Sequence, residues 1–355
     1  MKNLEKFYRV LEEERLDGLM LTSQTTRMYC AEFDVAEGVS VVTPKGCRFF
    51  TDSRYIEVAE KNLPDFQVIM VDHSRNYAML IQQAIDEFQI KKMGFEEKSL
   101  TVAEFLGYQK KLSVEFVPCQ QAMNRLRCVK EPWELERLRK AQEITDLAYT
   151  EILTKIHPGM SEKQLMAELI YCLYKNGADG LSFQPVVVSG PNTSMPHGVA
   201  GERALQNGDF ITMDFGCTYR GYCSDMTRTV ALESVTDEMR RVYDVVLRAQ
   251  TAAITASRAG VPGNVIDGVA RQVIRDAGYG DYFGHGYGHC VGLEIHENPN
   301  CNMGNDQPMP AGAVCSAEPG IYLPDKFGVR IEDVVIFTEE GCIDITASPK
   351  ALTIL

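Results

Sequence analysis

The sequence predicts an α+β chain in two parts, a smaller α/β unit over residues 1–124 and a larger unit over residues 125–355 built from two similar halves. Three observations carry this expectation. The 355 residues suit two domains or one large α/β unit, and a composition 45% hydrophobic and 24% charged suits a globular chain that buries its core without staples. Up to about residue 120, short helical and strand patterns alternate. Beyond it, punctuation repeats at a fixed offset: Pro158-Gly159 recurs as Pro262-Gly263, and GDFITMDFG recurs in outline as GAVCSAEPG. Gly208, Asp214 and Gly216 are thereby answered 104 residues later by Gly312, Glu318 and Gly320. One offset at equivalent points of a helix-helix-strand pattern predicts two similar halves facing each other, each with a carboxylate at the same point.

Taken in order, residues 3–15 carry apolar side chains at helical spacing, Gly18–Leu21 and residues 39–42 read as buried strands, and Tyr77–Phe88 reads as another helix. Residues 125–139 mix both charges, and Pro132 suits the first turn of a long helix running to about Ile156, with Trp133 as a packing anchor. The net charge of -13 opposes nucleic acid or an anionic membrane as partner. The N-terminus lacks the unbroken apolar run of a signal segment, so a cytoplasmic location is expected. Eleven scattered cysteines without a C-x-x-C pair read as reduced, mostly buried thiols.

Chemistry concentrates after residue 190. The stretches NTSMPHG, DFGCTYRGYCSD, GHGYGHCVGLEIHE, and SAEPGIY with VRIED hold four of the six histidines and the acids Asp214, Asp225, Glu318 and Glu332. Arg330 and Glu332, two apart on a strand, share a face while Ile331 packs behind. Four carboxylates gathered among glycine-flanked apolar strands resist ionisation unless neutralised, and divalent cations do this economically. Oxygen ligands with one imidazole favour Mn, Fe, Co or Zn, and two ions sharing carboxylates need about this many acids. His285 and His289 stand four apart, but Gly284, Gly286 and Gly288 make a helix improbable. The stretch reads as a glycine-rich loop approaching a ligand and leading into a strand over residues 290–296. His289, at the junction, is the candidate metal imidazole, and His296 is expected to bind substrate or steady an oxyanion. Ser189 and Ser194 lack the partners of a serine nucleophile, and residues 298–301 read as a turn.

Together these motifs resemble the creatinase and aminopeptidase P group of metallopeptidases. They are PHG at residues 196–198, DFG and SDMTRT around Asp214 and Asp225, GHGYGH with GLEIHE, EPGIY, RIED, and TDSRY at residues 51–55. The resemblance implies a pita-bread catalytic domain with a pseudo-twofold repeat, preceded by a creatinase-type α/β domain. It implies Asp214, Asp225, His289, Glu318 and Glu332 as the five ligands of two divalent ions per chain, with manganese favoured over cobalt, iron or zinc. His197, His296 and Arg330 match residues that position substrate, and His285 a further histidine at the pocket edge. The activity implied is hydrolysis of Xaa-Pro bonds, in dipeptides or at the N-terminus of short proline-containing peptides, by a homodimer. Glu318 would pass the proton of water to the leaving nitrogen. His197 and His296 would stabilise the oxyanion or orient proline, and Arg330 would tether neighbouring ligands or the substrate carboxylate. A metal-free creatinase-like C–N hydrolase and an inactive peptide-binding module are the alternatives, and the intact set of ligand positions speaks against both.

Overall fold

The computed structural model describes residues 3–355. The chain separates into two compact units between Arg127 and Cys128, in the last turn of the helix Gln120–Cys128.

The first unit is a six-stranded mixed sheet flanked by helices. Its strands run in the order Gln67–Met70, Gly46–Thr51, Val39–Thr43, Gly18–Leu21, Lys92–Phe95 and Glu115–Pro118. Gly18–Leu21 is buried at all four positions because it pairs on both sides, antiparallel with Val39–Thr43 and parallel with Lys92–Phe95. The helix Tyr77–Phe88 starts where Asn76 accepts the Met79 N–H (3.1 Å) and lays Leu80, Ile81, Ala84, Ile85 and Phe88 on the sheet.

Two helix pairs backing two antiparallel sheets make up the second unit. The helix Pro132–Ile152 opens with proline in its first turn and ends four residues before the expected limit. Thr154 and Lys155 there close tight i to i−3 bonds onto Glu151 and Ile152, ahead of His157-Pro158. With the capped helix Glu162–Lys175 it backs the sheet Met226–Ala231, Phe210–Phe215, Val186–Ser189. Asp237–Ala256 and Gly263–Asp276 back the second sheet, whose central strands are Gly288–Cys290, Val314–Ala317 and Asp333–Phe337. No helix among the described residues is long and apolar enough to cross a membrane.

The halves correspond, but not at a single offset. Gly159 donates to the Leu205 carbonyl (2.9 Å) and Leu205 to that of Met160 (2.8 Å); Gly260 donates to Met309 (2.8 Å) and Met309 to Val261 (3.0 Å). Gly159 therefore answers Gly260, both at positive φ, and Pro262-Gly263 is not the counterpart of Pro158-Gly159. The second helices match at an offset of 101 and the following strands at 104, so the expected repeat holds for Gly208 and Gly312, each at positive φ, and slips by three residues at the Pro-Gly pair.

One stretch departs from expectation. Residues 290–296 are not one strand: Gly288–Cys290 ends, a turn intervenes, and Glu297–Cys301 returns antiparallel, so residues 298–301 are strand rather than turn. The cause is Glu297, whose Oε1 accepts the Leu293 and Glu294 N–H groups (3.1 and 3.3 Å) while Oε2 takes Lys130 Nζ (3.0 Å). Two glycines of GHGYGH are also closely packed: a Cβ on Gly288 would strike the Ser316 backbone, and one on Gly286 the Asn302 side chain, while both line the cavity described below. Cys290 and Cys315 are register partners with Cα atoms 3.9 Å apart, which brings their buried side chains together.

Candidate metal centre

Each half contributes the same local device, a strand that ends in an acid, a β-hairpin, and a second acid that opens the next strand. In the first half Asp214 closes on the hairpin of Cys217–Tyr219 and Tyr222–Cys223, and Asp225 comes after it. In the second, Glu318 precedes the hairpin of Gly320–Leu323 and Phe327–Arg330, and Glu332 comes after it. Both pairs of acids turn into one cavity of about 570 Å³, which His197, His285, His289, His296 and Arg330 also line. All nine residues expected at the site therefore meet there, although they are spread over 136 positions of sequence, from His197 to Glu332.

His289 stands at the centre. Its Nδ1 lies 3.2 Å from the Cys290 carbonyl, an arrangement that makes Nδ1 the N–H and leaves the Nε2 lone pair facing Glu318 (3.4 Å) and Asp225 (3.5 Å). One ligand atom each from Asp225, His289 and Glu332 lie within 4.8 Å of one another. The His296 ring packs edge-on against His289 at 4.4 Å between centroids, outside the acids.

The electrostatics are those of a crowded anion cluster. Burial, reinforced by Asp214 and Glu318, pushes the Asp225 carboxyl well above its ordinary range. Burial, with Asp225, Glu318 and Asp214 behind it, does the same to Glu332. Glu318 is raised to about 7 by burial and by Asp214, against the pull of Arg330. Burial lowers His289, and it lowers His285 to about 4 with help from Arg330, so both imidazoles are neutral near pH 7. Arg330 is the compensating cation. Its Nη2 binds Asp214 Oδ2 at 2.5 Å, Nη1 donates to the Tyr322 hydroxyl (2.9 Å) and the Pro196 carbonyl (3.3 Å), and Nε donates to Thr227 Oγ1 (3.0 Å).

One charge cannot balance four. Among the described residues Asp214 Oδ1 is buried with no hydrogen-bond partner, an arrangement costly enough that a native site seldom leaves it so. A divalent cation fits on this ground, since an orphaned carboxylate oxygen, three acids held above their normal titration range and a neutral imidazole presenting its lone pair form a ready donor set.

Residues 136–339 match metallopeptidase family M24, and residues 3–129 match the creatinase/prolidase N-terminal domain. The chain belongs to metallopeptidase family M24. Its two units are the creatinase-type domain and the pita-bread domain of that family, and the protein is an enzyme of the metallopeptidase class. Among solved structures it is similar to an Xaa-Pro dipeptidase from Bacillus anthracis, at 38% identity and a TM-score of 0.96, covering 100% of this chain and 99% of that one. It is also similar to an X-Pro aminopeptidase from Thermotoga maritima MSB8, at 34% identity and a TM-score of 0.94, covering both chains fully. An Xaa-Pro dipeptidase from Pyrococcus furiosus is 31% identical over 357 residues, 99% of each chain.

Three M24 residues around the acids carry no role that the sequence alone suggests. Thr227 Oγ1 donates to Glu332 Oε2 (2.6 Å), Ser316 Oγ donates to Glu318 Oε1 (3.1 Å), and the Tyr322 hydroxyl joins Arg330 to His285 Nε2 (2.9 Å). Thr227 and Tyr322 stand inside SDMTRT and EPGIY, but only the fold puts them against their partners.

Proposed function

We propose that the chain cleaves the peptide bond preceding proline, as an exopeptidase acting on short peptides with an N-terminal Xaa-Pro, using two divalent ions held by Asp214, Asp225, His289, Glu318 and Glu332. The orphaned Asp214 Oδ1 inside a cluster of four buried acids carries this reading, since that cluster is stable at neutral pH only with further positive charge. Bound there, divalent ions supply Lewis acidity, which lowers the pKa of water and polarises a carbonyl. Manganese is the favoured ion.

The chain's own groups do the rest. A proline nitrogen carries no hydrogen, so a site for this bond must deliver a proton to the leaving nitrogen without relying on an N–H at the scissile amide. Glu318, a buried carboxyl at the cavity wall with Ser316 Oγ on its Oε1, is placed to take a proton from water and pass it on. His296 and His197 line the cavity, where they orient the scissile carbonyl or the proline ring. Arg330 is fully engaged by Asp214, Tyr322, Thr227 and Pro196, so of its two expected roles the tethering of ligands is the one assigned. His285 supports Tyr322 at the cavity edge. The enzyme is further read as a cytoplasmic homodimer, which sedimentation at assay concentration tests.

The deciding experiment measures Leu-Pro-Ala hydrolysis and metal content together. Chelation should abolish cleavage and manganese should restore it at about two equivalents per chain. Full activity with less than one equivalent would defeat the two-ion reading, and activity surviving complete chelation would turn the assignment to a metal-free hydrolase.

A further inference from the structure

The cavity wall separates by charge. Arg330 is the one lysine or arginine among the described residues that line it, and all three of its nitrogens are already bonded within the chain, its side chain 4% exposed. The polar groups that line it also include Asn300 and Asn302, half-buried neutral amides, and the apolar Phe183 and Ile295 line it as well. Asn300 stands opposite His289 in strand register. Asn302 Oδ1 accepts the Gly304 N–H (2.9 Å), which leaves its NH₂ group as a donor.

This distribution bears on the group attached beyond proline in the substrate. In a dipeptide, the proline Cα carries a free carboxylate two bonds from the scissile nitrogen, so that charge must enter the cavity with the ring. A carboxylate drawn from water needs a cation or several charge-matched donors. Here the arginine is spent on Asp214, and the two divalent ions read into the site offset its four acids, so no lysine or arginine among the described lining residues is left to meet that carboxylate. In a longer peptide the same position is the carbonyl of a neutral amide, which an asparagine NH₂ meets without any charge to compensate.

We propose that the site selects peptides of three or more residues, so that the chain is an aminopeptidase for Xaa-Pro-Yaa substrates rather than a dipeptidase, with Asn300 and Asn302 facing the amide beyond proline. This rests on the Xaa-Pro reading above. The test compares kcat/KM of the full, manganese-loaded protein on Leu-Pro, Leu-Pro-amide and Leu-Pro-Ala. The amide and the tripeptide should each exceed Leu-Pro by at least about tenfold, the cost of one poorly matched charge. Equal or better hydrolysis of Leu-Pro would overturn the proposal, whereas cleavage of none of the three would defeat the Xaa-Pro reading itself. Asn302→Arg supplies the missing cation and should narrow the gap between Leu-Pro and Leu-Pro-amide, chiefly by lowering KM for Leu-Pro. A change of the same size on both substrates would show that charge at this position does not set length.

Discussion

The two halves of the catalytic unit share a plan but use their hairpins differently. The first hairpin, at residues 217–223, packs against the helix Pro132–Ile152: Ser224 Oγ meets Thr145 Oγ1 (2.7 Å), and the Tyr222 hydroxyl donates to Glu134 (2.9 Å). The second, at residues 320–330, carries Tyr322 and Arg330 into the site. The support crosses between halves. Arg330 of the second half holds Asp214 of the first, and Thr227 of the first holds Glu332 of the second. A duplicated framework thus supplies acids twice, and one acid of each half, Asp214 and Glu332, is held by a side chain of the other. The second hairpin is thus the clamp between halves.

The largest effect expected from disturbing this arrangement comes from an acid itself. Glu318→Gln keeps the shape and removes the proton carrier, so turnover on a tripeptide should fall by about 10²–10⁴-fold while the fold and much of the metal binding survive. Near-normal turnover would remove Glu318 from its role.

Next is the metal-free protein. The folded-state value of Glu318, about 7, lies above its ordinary 4.5, so the folded chain keeps a proton that the unfolded chain releases. Stability is then fully present below about pH 4.5 and is lost as pH rises through 7, and Asp225 and Glu332 are displaced in the same direction. Denaturation of the chelated protein should show about 3 kcal/mol lost from Glu318 alone between pH 5 and 8. Manganese should abolish that slope, and a flat profile without metal would contradict the crowded-anion account.

The cross-half clamp should matter less than the base. Arg330→Lys loses the fork that spans Asp214, Tyr322 and Thr227, and should lower metal affinity or turnover by about 10–100-fold. Thr227→Val should weaken binding through Glu332. Because Arg330 and Thr227 touch, the double variant should cost less than the two single effects combined, and strict additivity in a double-mutant cycle would show that the halves are held independently.

The smallest effects sharpen the contrast between hairpins. Tyr222→Phe removes a buried bond to Glu134 and should cost about 1 kcal/mol of stability with turnover nearly unchanged. Tyr322→Phe should do the reverse, lowering turnover several-fold with little loss of melting temperature. The same outcome for both variants would erase the distinction.

Much of the fold was legible locally. Tyr77–Phe88 and Gly18–Leu21 appear where their patterns place them, since an Asn cap, an apolar stripe and an unbroken apolar run act over a few residues. The turn at residues 292–296 was not legible, because Glu297 organises it only when Lys130, 167 residues away, neutralises its other oxygen in the interior. The repeat was visible at Gly208 and Gly312, yet its register at the Pro-Gly pairs needed the hydrogen bonds of Gly159 and Gly260.

The sequence by itself singled out acids and histidines that the fold brings to one cavity, because charged residues embedded in glycine-flanked apolar strands are conspicuous wherever they stand. Only the tertiary structure decided what each group is free to do. Arg330 reads in the sequence as equally suited to a ligand or a substrate carboxylate. It is bound to Asp214 across 116 residues of chain, and Thr227 is bound to Glu332 across 105. A hydrogen bond depends on distance and direction in space, to which the order of residues along the chain is blind.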